Sequence, residues 1–347
     1  MSKRNLLLLF LLLCPFAGAR SADDVLKLYF KSIGIQQGLS HQMVNAIVKD
    51  PQGFIWIGTA EGLNRYDGTE FHVYRHEPGN PCSLSTSWIN CLYITRDGRL
   101  FIGTEKGVNV YNAQKENFER ISAENDSRNL LGNLRIRCFC EDSKGYLWIG
   151  TLDGLIRFDR RNSLINFYKL NHYDRDKMHN EVRSLCEDSA GRLWIGTFDG
   201  LYCRETESGV FKSVPLKKAP AEGNCLISGL HIQQEDPHTL YIAATGGLRV
   251  FDTETGGERH YHTANSGIAS NDVRDVTRYD AKHVLAATSS GLSVFDIPSG
   301  GFTNFANSIT DPVSLPTQIV RCLFQDDNGL VWLGTNYGVA CCNSHRR

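Results

Sequence analysis

The sequence predicts an all-β fold, a seven-bladed β-propeller closed by an N-terminal strand that completes the last blade. Three observations predict it. One phrase recurs seven times at a spacing of about 46 residues, the mark of a repeat architecture. Each copy divides into four short strands separated by turn residues. The last copy lacks its fourth strand, while an unassigned strand precedes the first.

The clearest copy reads Trp56-Ile57-Gly58-Thr59-Ala60-Glu61-Gly62-Leu63, followed by Arg65-Tyr66-Asp67. Its anchor returns at Phe101, Trp148, Trp194, Tyr241, Leu285 and Trp332, at intervals of 45, 47, 46, 47, 44 and 47 residues. In the fifth and sixth copies Ala243 and Ala287 replace the first glycine. Within the first copy, Val44–Lys49 is strand A, residues 54–59 are strand B, strand C runs from Gly62 to Tyr66-Asp67, and residues 71–75 are strand D. Asp50-Pro51-Gln52-Gly53 suits a type I turn ending on a left-handed glycine, and the same signal returns at Asp142, Asp188 and Asp326.

Four antiparallel strands per repeat make a propeller blade, whose apolar faces need neighbours on both sides. The blades fall near 44–76, 88–121, 135–168, 181–214, 226–262, 272–305 and 318–343, with residues 26–33 added to the last. Adding that strand removes the free edges of an open ring. The mature chain, residues 20–347, is thereby used up as one domain.

Residues 1–19 have the form of a signal peptide. Lys3 and Arg4 precede the apolar run from Leu6 to Leu13, and Ala17-Gly18-Ala19 offers small residues for cleavage after Ala19. The expectation is an exported, periplasmic protein with no membrane span in its mature chain. Cleavage takes 37 Lys and Arg to 35 against 38 Asp and Glu, a net charge near −3. That balance speaks against nucleic acid or an anionic membrane as partner.

Ten cysteines remain after cleavage. Cys91, Cys138 and Cys322 share a repeat position that elsewhere holds Ala46 and Ser184, which calls for a small buried side chain rather than a disulfide half. No Cys-x-x-Cys pair or His/Cys ligand spacing occurs, so no metal and no cofactor is expected.

The phrase Asp-x-x-Gly-x-[Leu/Ile]-Trp-Ile-Gly-Thr-x-x-Gly-Leu-x-x-[Tyr/Phe]-Asp resembles the two-component-regulator propeller repeat. Gln37-Gly38-Leu39-Ser40-His41 and the inter-blade phrase from His76 to Leu84 fit it too, so that the resemblance covers residues 26–343. It implies the periplasmic sensor region of hybrid two-component regulators, the input domain of a histidine kinase, which commonly controls polysaccharide-utilisation genes. Members of that family usually carry two propellers, a β-sandwich, a membrane helix and a kinase core. This sequence holds one propeller and no kinase or receiver motif, and both a stand-alone relative and a piece split from a sensor fit it.

Strand A lies innermost in a blade, so its residues line the channel. Counting back five from the first residue of each A–B turn gives Asn45, Asn90, Arg137, Arg183 and Arg321, with Arg274 at the matching place in the sixth copy. Four arginines around one channel suit a carboxylate or sulfate, as on an acidic sugar. They equally suit pairing with Asp153, Asp199, Glu181 or Asp272, because buried arginine is normally paired. Trp88 and Tyr337 lie on the face of the D–A connections and B–C turns and join the candidate ligand-binding set. No catalytic residue is marked out: there is no Gly-x-Ser-x-Gly, His-Glu-x-x-His or P-loop. The leading reading is a non-catalytic periplasmic ligand-binding or sensor propeller, its partner an oligosaccharide or another periplasmic or sensor protein. The rivals are a polysaccharide-acting propeller enzyme (lyase or glycoside hydrolase) and a protein–protein interaction module.

Overall fold

A computed structural model describes residues 26–170, 180–205, 209–217, 225–233 and 235–343. The signal-peptide reading of residues 1–19 lies outside the described residues. The described strands form seven antiparallel four-stranded sheets, and the chain is a seven-bladed β-propeller. The inner strands are Val44–Lys49, Ile89–Ile94, Ile136–Glu141, Val182–Glu187, Ile227–Ile232, Val273–Arg278 and Val320–Gln325. Each packs against the inner strands of both neighbouring blades, and the seventh packs against the first, so the ring is closed.

The recurring phrase is explained position by position. Its aspartate accepts the indole N–H of the tryptophan six residues on, at 2.7 Å for Asp50 with Trp56 and Asp142 with Trp148, and 2.9 Å for Asp188 with Trp194. The other oxygen of Asp50 accepts the amides of Gln52 and Phe54, so one carboxylate shapes the turn and lets the indole be buried. The motif threonine closes the B–C turn: Thr59 Oγ1 donates to Gly62 O at 3.0 Å and accepts the Glu61 amide. Gly62 needs its glycine there, since φ is 137° and a Cβ would lie 2.8 Å from Tyr74 O.

The motif glycine of strand B is where blades interlock. A Cβ on Gly58 would stand 2.5 Å from Ile89 Cγ2, the first residue of the next inner strand. Gly103 meets Ile136, Gly150 meets Val182, Gly196 meets Ile227 and Gly334 meets Val44 in the same way. Those five β-branched residues are fully buried. The apolar core is accordingly divided into seven clusters, one in each gap between blades. Trp56, Trp148, Trp194 and Trp332 each fill such a gap.

Lys31–Ile33 pairs antiparallel with Gly338–Asn343 as the fourth strand of the seventh blade, in the register Lys31 to Cys341 and Ile33 to Val339. It is shorter than the predicted 26–33, because the chain ahead of it leaves the ladder and Phe30 N donates to Val313 O at 2.9 Å. Leu28, Phe30 and Ile33 are buried, while Tyr29 points outward. Sequence reasoning also missed the single helical turn Leu130–Asn133 ahead of the third blade.

Two measurements check this architecture. Deleting residues 20–34 removes the buried Leu28, Phe30 and Ile33 from the core and is expected to cost about 5 kcal/mol, at roughly 1.5–3 kcal/mol per buried apolar side chain. An unchanged melting temperature would show that this strand contributes nothing to closure. The ten cysteines from Cys82 to Cys342 are all free thiols in the fold. Thiol titration of denatured, unreduced protein is therefore expected to find ten, and eight or fewer would mean a disulfide.

Candidate functional site at the channel mouth

The second residue of every inner strand faces the channel, and a common backbone irregularity puts it there. In all seven blades the pairing of strands A and B slips by one residue across this position, between Val44 and Ala46, Ile89 and Cys91, and so on to Val320 and Cys322. Such a β-bulge leaves one residue unpaired and re-aims its side chain. The seven bulged residues are Asn45, Asn90, Arg137, Arg183, Ser228, Arg274 and Arg321, and all seven line one cavity of about 730 Å³.

The repeat count thus brings together six of the predicted residues, and Trp88 joins them at the rim, 41% exposed, its indole N–H donating to Asn90 Oδ1 at 3.0 Å. Tyr337 stays apart. It is 64% exposed on the seventh blade's B–C turn, which carries it outside the cavity lining. Ser228 was missed because the fifth blade has Gln233 where most others have a turn aspartate, which left the count without its anchor.

Three of the four bulge arginines lie against carboxylates. Arg137 Nε lies 2.7 Å from Glu181 Oε1, close in distance though off the hydrogen-bond direction. Arg183 Nε lies 3.3 Å from the same oxygen, so two guanidinium groups share one buried carboxylate. Arg274 holds Asp272 Oδ2 through Nη2 at 2.9 Å and Nε at 3.1 Å. Asp153, another candidate partner, is taken by Lys169 instead.

Arg321 differs. Its partners are amide oxygens, Asn45 Oδ1 at 2.9 Å and Asn336 Oδ1 at 3.2 Å, and its buried Nε has no acceptor among the described residues. Burial lowers the pKa of Arg321, with like charge from Arg274 and Arg183 adding to the effect. Burial also lowers that of Arg183, which Glu181 offsets in part and Arg137 reinforces. Asn90 Nδ2 is a second buried donor without a protein acceptor.

One residue below the bulge, the wall carries Ala46, Cys91, Cys138, Ser184, Gly229, Asp275 and Cys322. Burial pushes the three thiols up, Cys322 to about 12, which leaves them protonated and poorly reactive. Asp275 is the exception in that ring. Its Oδ1 accepts Val276 N at 2.9 Å and its Oδ2 accepts Leu323 N of the seventh blade at 2.8 Å. Burial still outweighs those bonds and raises its pKa to about 7. Sequence reasoning missed it, although it is the one carboxylate at a position of small residues.

At the rim, Arg135 and Glu105 form a close ion pair that adds no net charge. Four bulge arginines therefore face Glu181, Asp272 and Asp275, an excess of one positive charge with Asp275 ionised and two with it protonated. Among the described residues no group of three His, Cys, Asp or Glu side chains is placed to hold a metal ion, and no helix is long and apolar enough to cross a membrane.

Comparison with known proteins adds three relatives. A histidine kinase of Formosa agariphila is 43% identical over 56 residues, which is 16% of this chain and 4% of the kinase. The extracellular domain of a hybrid two component system from B. thetaiotaomicron superposes with a TM-score of 0.76 at 23% identity, over 91% of this chain and 40% of that one. The chain thus spans well under half the length of these relatives. Virginiamycin B lyase from Staphylococcus aureus shares the fold at a TM-score of 0.66 and 11% identity, over 91% of this chain and 99% of that one. The family model for the two component regulator propeller matches residues 38–61, 83–106, 129–153, 176–199 and 314–337, and passes over the two blades in which alanine replaces the motif glycine. Five of the seven blades thus carry a segment that matches the two component regulator propeller repeat.

Proposed function

We propose that this chain is a non-catalytic ligand-binding propeller, the exported, periplasmic input module of a carbohydrate-responsive hybrid two-component regulator, and that its channel mouth takes an anionic oligosaccharide. The observation that carries the reading is Arg321, a half-buried cation whose protein partners are neutral, in a cavity with excess positive charge and with unfilled buried donors at Arg321 Nε and Asn90 Nδ2. A half-buried guanidinium held by amides alone is poorly compensated, and a ligand carboxylate or sulfate would complete it in bidentate fashion. Trp88 at the rim offers an apolar face to a sugar ring. The repeat shared with sensor proteins supports the sensor role over the enzyme, and no side chain at the mouth is arranged as a nucleophile with its base.

Arg321 separates binding from support better than Arg183, whose loss would leave the buried Glu181 carboxylate to Arg137 alone. Arg321→Ala is expected to weaken an acidic oligosaccharide such as an oligogalacturonate by about 1.5–3 kcal/mol, roughly 10- to 100-fold, with little change in melting temperature. Arg183→Ala is expected to lower the melting temperature even without ligand. Calorimetry on the two variants checks this, and unchanged affinity in Arg321→Ala would refute the binding role. Conversion of the sugar to products by the native protein would favour the lyase or hydrolase reading.

The site also predicts a pH dependence. Asp275 loses its negative charge as pH falls through about 7, so affinity for an anion is expected to strengthen on acidification across that pH. The sign for stability follows from the same proton. The folded state holds it between the ordinary carboxylate range and about pH 7 while the unfolded chain releases it, so stability from this group falls as pH rises through that window and levels off above it. Asp275→Asn should flatten both profiles, and an unaltered pH dependence of affinity would remove Asp275 from the account.

A further inference from the structure

A second cavity of about 420 Å³ opens on the same face, lined by His76, Ser85, Lys106, Arg120, Asn129 and Asn133 together with Ile121, Ser122 and Gly132. It adjoins the channel mouth through three shared walls. The connection into the second blade gives Ser85 to this cavity and Trp88 to the mouth. The B–C turn of the second blade gives Lys106 to one and Glu105 to the other, and the connection into the third blade gives Asn129 and Asn133 to one and Arg135 to the other. The boundary is a fixed ridge: Gly107 N donates to Leu134 O at 2.8 Å, and the Glu105–Arg135 ion pair spans it on the channel side.

The chemistry of this second cavity is one-sided. No acidic residue lines it, and among the described residues no carboxylate stands within ion-pair distance of Lys106 or Arg120. Arg65 and Lys212 on other blades are, by contrast, paired with Glu116 and Glu205. His76 Nδ1 is engaged with Leu84 O at 2.7 Å, which fixes its ring and turns Nε2 away from that backbone. Ser85 is held in place by Asn109 and Thr104. The floor is thus rigid and polar, and its two long cations are uncommitted.

We infer that this cavity is a second anion subsite of the same binding face, so that the ligand is an extended anionic glycan running outward from the channel across the second blade, one acidic group at the bulge arginines and another at Lys106 and Arg120. The inference rests on the channel reading for the first acidic group. It adds a length requirement: a chain that reaches both cavities gains from two charge clusters on one rigid scaffold, and a short anion gains from the channel alone.

Calorimetric titration of native protein, Arg321→Ala and the double variant Lys106→Ala/Arg120→Ala tests it, with oligogalacturonates of two to eight residues in one arm and chondroitin sulfate fragments of matched length in the other. Both substituted side chains of the double variant are exposed, and its melting temperature should match that of native protein. The expected result is affinity that climbs with length in native protein, and a double variant that binds the shortest fragment normally but the longer ones at least tenfold more weakly. Both series carry carboxylates and only the chondroitin fragments add sulfate, so a climb confined to the chondroitin arm identifies sulfate as the second group. Equal affinity of native protein and double variant for the long fragments overturns the subsite, and so does an equal loss at every length. Loss on Arg321→Ala with no effect of the double variant keeps the channel and removes the subsite. No binding of either series by native protein removes both.

Discussion

The structure depends on one contact repeated around the ring, the seating of a β-branched residue of one blade in the space that a glycine leaves open on the blade before it. Ile89 sits over Gly58, Ile136 over Gly103, Val182 over Gly150, Ile227 over Gly196, and Val44 over Gly334 where the ring closes. Each seated residue is removed from water, which is worth roughly 1.5–3 kcal/mol, and a single added methyl on the glycine would overlap it. The spacing of inner strands, and so the width of the channel, follows from this contact. The fifth and sixth blades keep the geometry with alanine in place of glycine. At the fifth, the strand A residue opposite Ala243 is Gly229, so the small residue has changed strands. At the sixth, Ala287 stands opposite Asp275, and nothing in the structure explains that exchange.

The interlock frees the next residue from any packing duty. Once the first residue of strand A is seated, the bulge turns the second toward the axis, where it meets its counterparts in other blades and polar groups of the rim. Asparagine, serine and arginine all occur there without disturbing a strand. Three consecutive residues per blade therefore carry three separate tasks: holding the neighbour, facing the channel, and filling a narrow wall position. Arg137 and Arg183 show that the middle task includes support, since both lean on Glu181. Arg321 shows what remains when that support is neutral.

This division explains what the sequence revealed. Blade number, strand order and the inner position of strand A were legible because turns and packing impose one pattern on every copy, and the indole–aspartate bond ties residues six apart, within one phrase. The channel positions were legible by counting, because the bulge is as periodic as the strands. Their partners were not. Glu181 reaches Arg137 from another blade, and Asn45 reaches Arg321 across the closure of the ring, 276 residues apart. Tyr337 was misplaced for a related reason: strand alternation says which way an inner residue points, whereas the direction of a turn residue is set by its own loop.

Asp275 shows how tightly the two layers are coupled. It stands where every other blade has a small neutral side chain, and it spends its carboxylate on the Leu323 amide of the next blade. That bond favours the charged form, yet the channel wall keeps water away and raises its pKa to about 7. The balance is close because the arginines that would hold the carboxylate ionised are committed elsewhere, Arg274 to Asp272 and Arg321 to asparagine. An anion entering the mouth would compete with Asp275 for the same positive field, and by linkage would raise the pKa of Asp275 as it bound. A charge one residue beneath the channel-facing ring, bonded across a blade gap, would thereby link an anion in the channel to the contact between two blades.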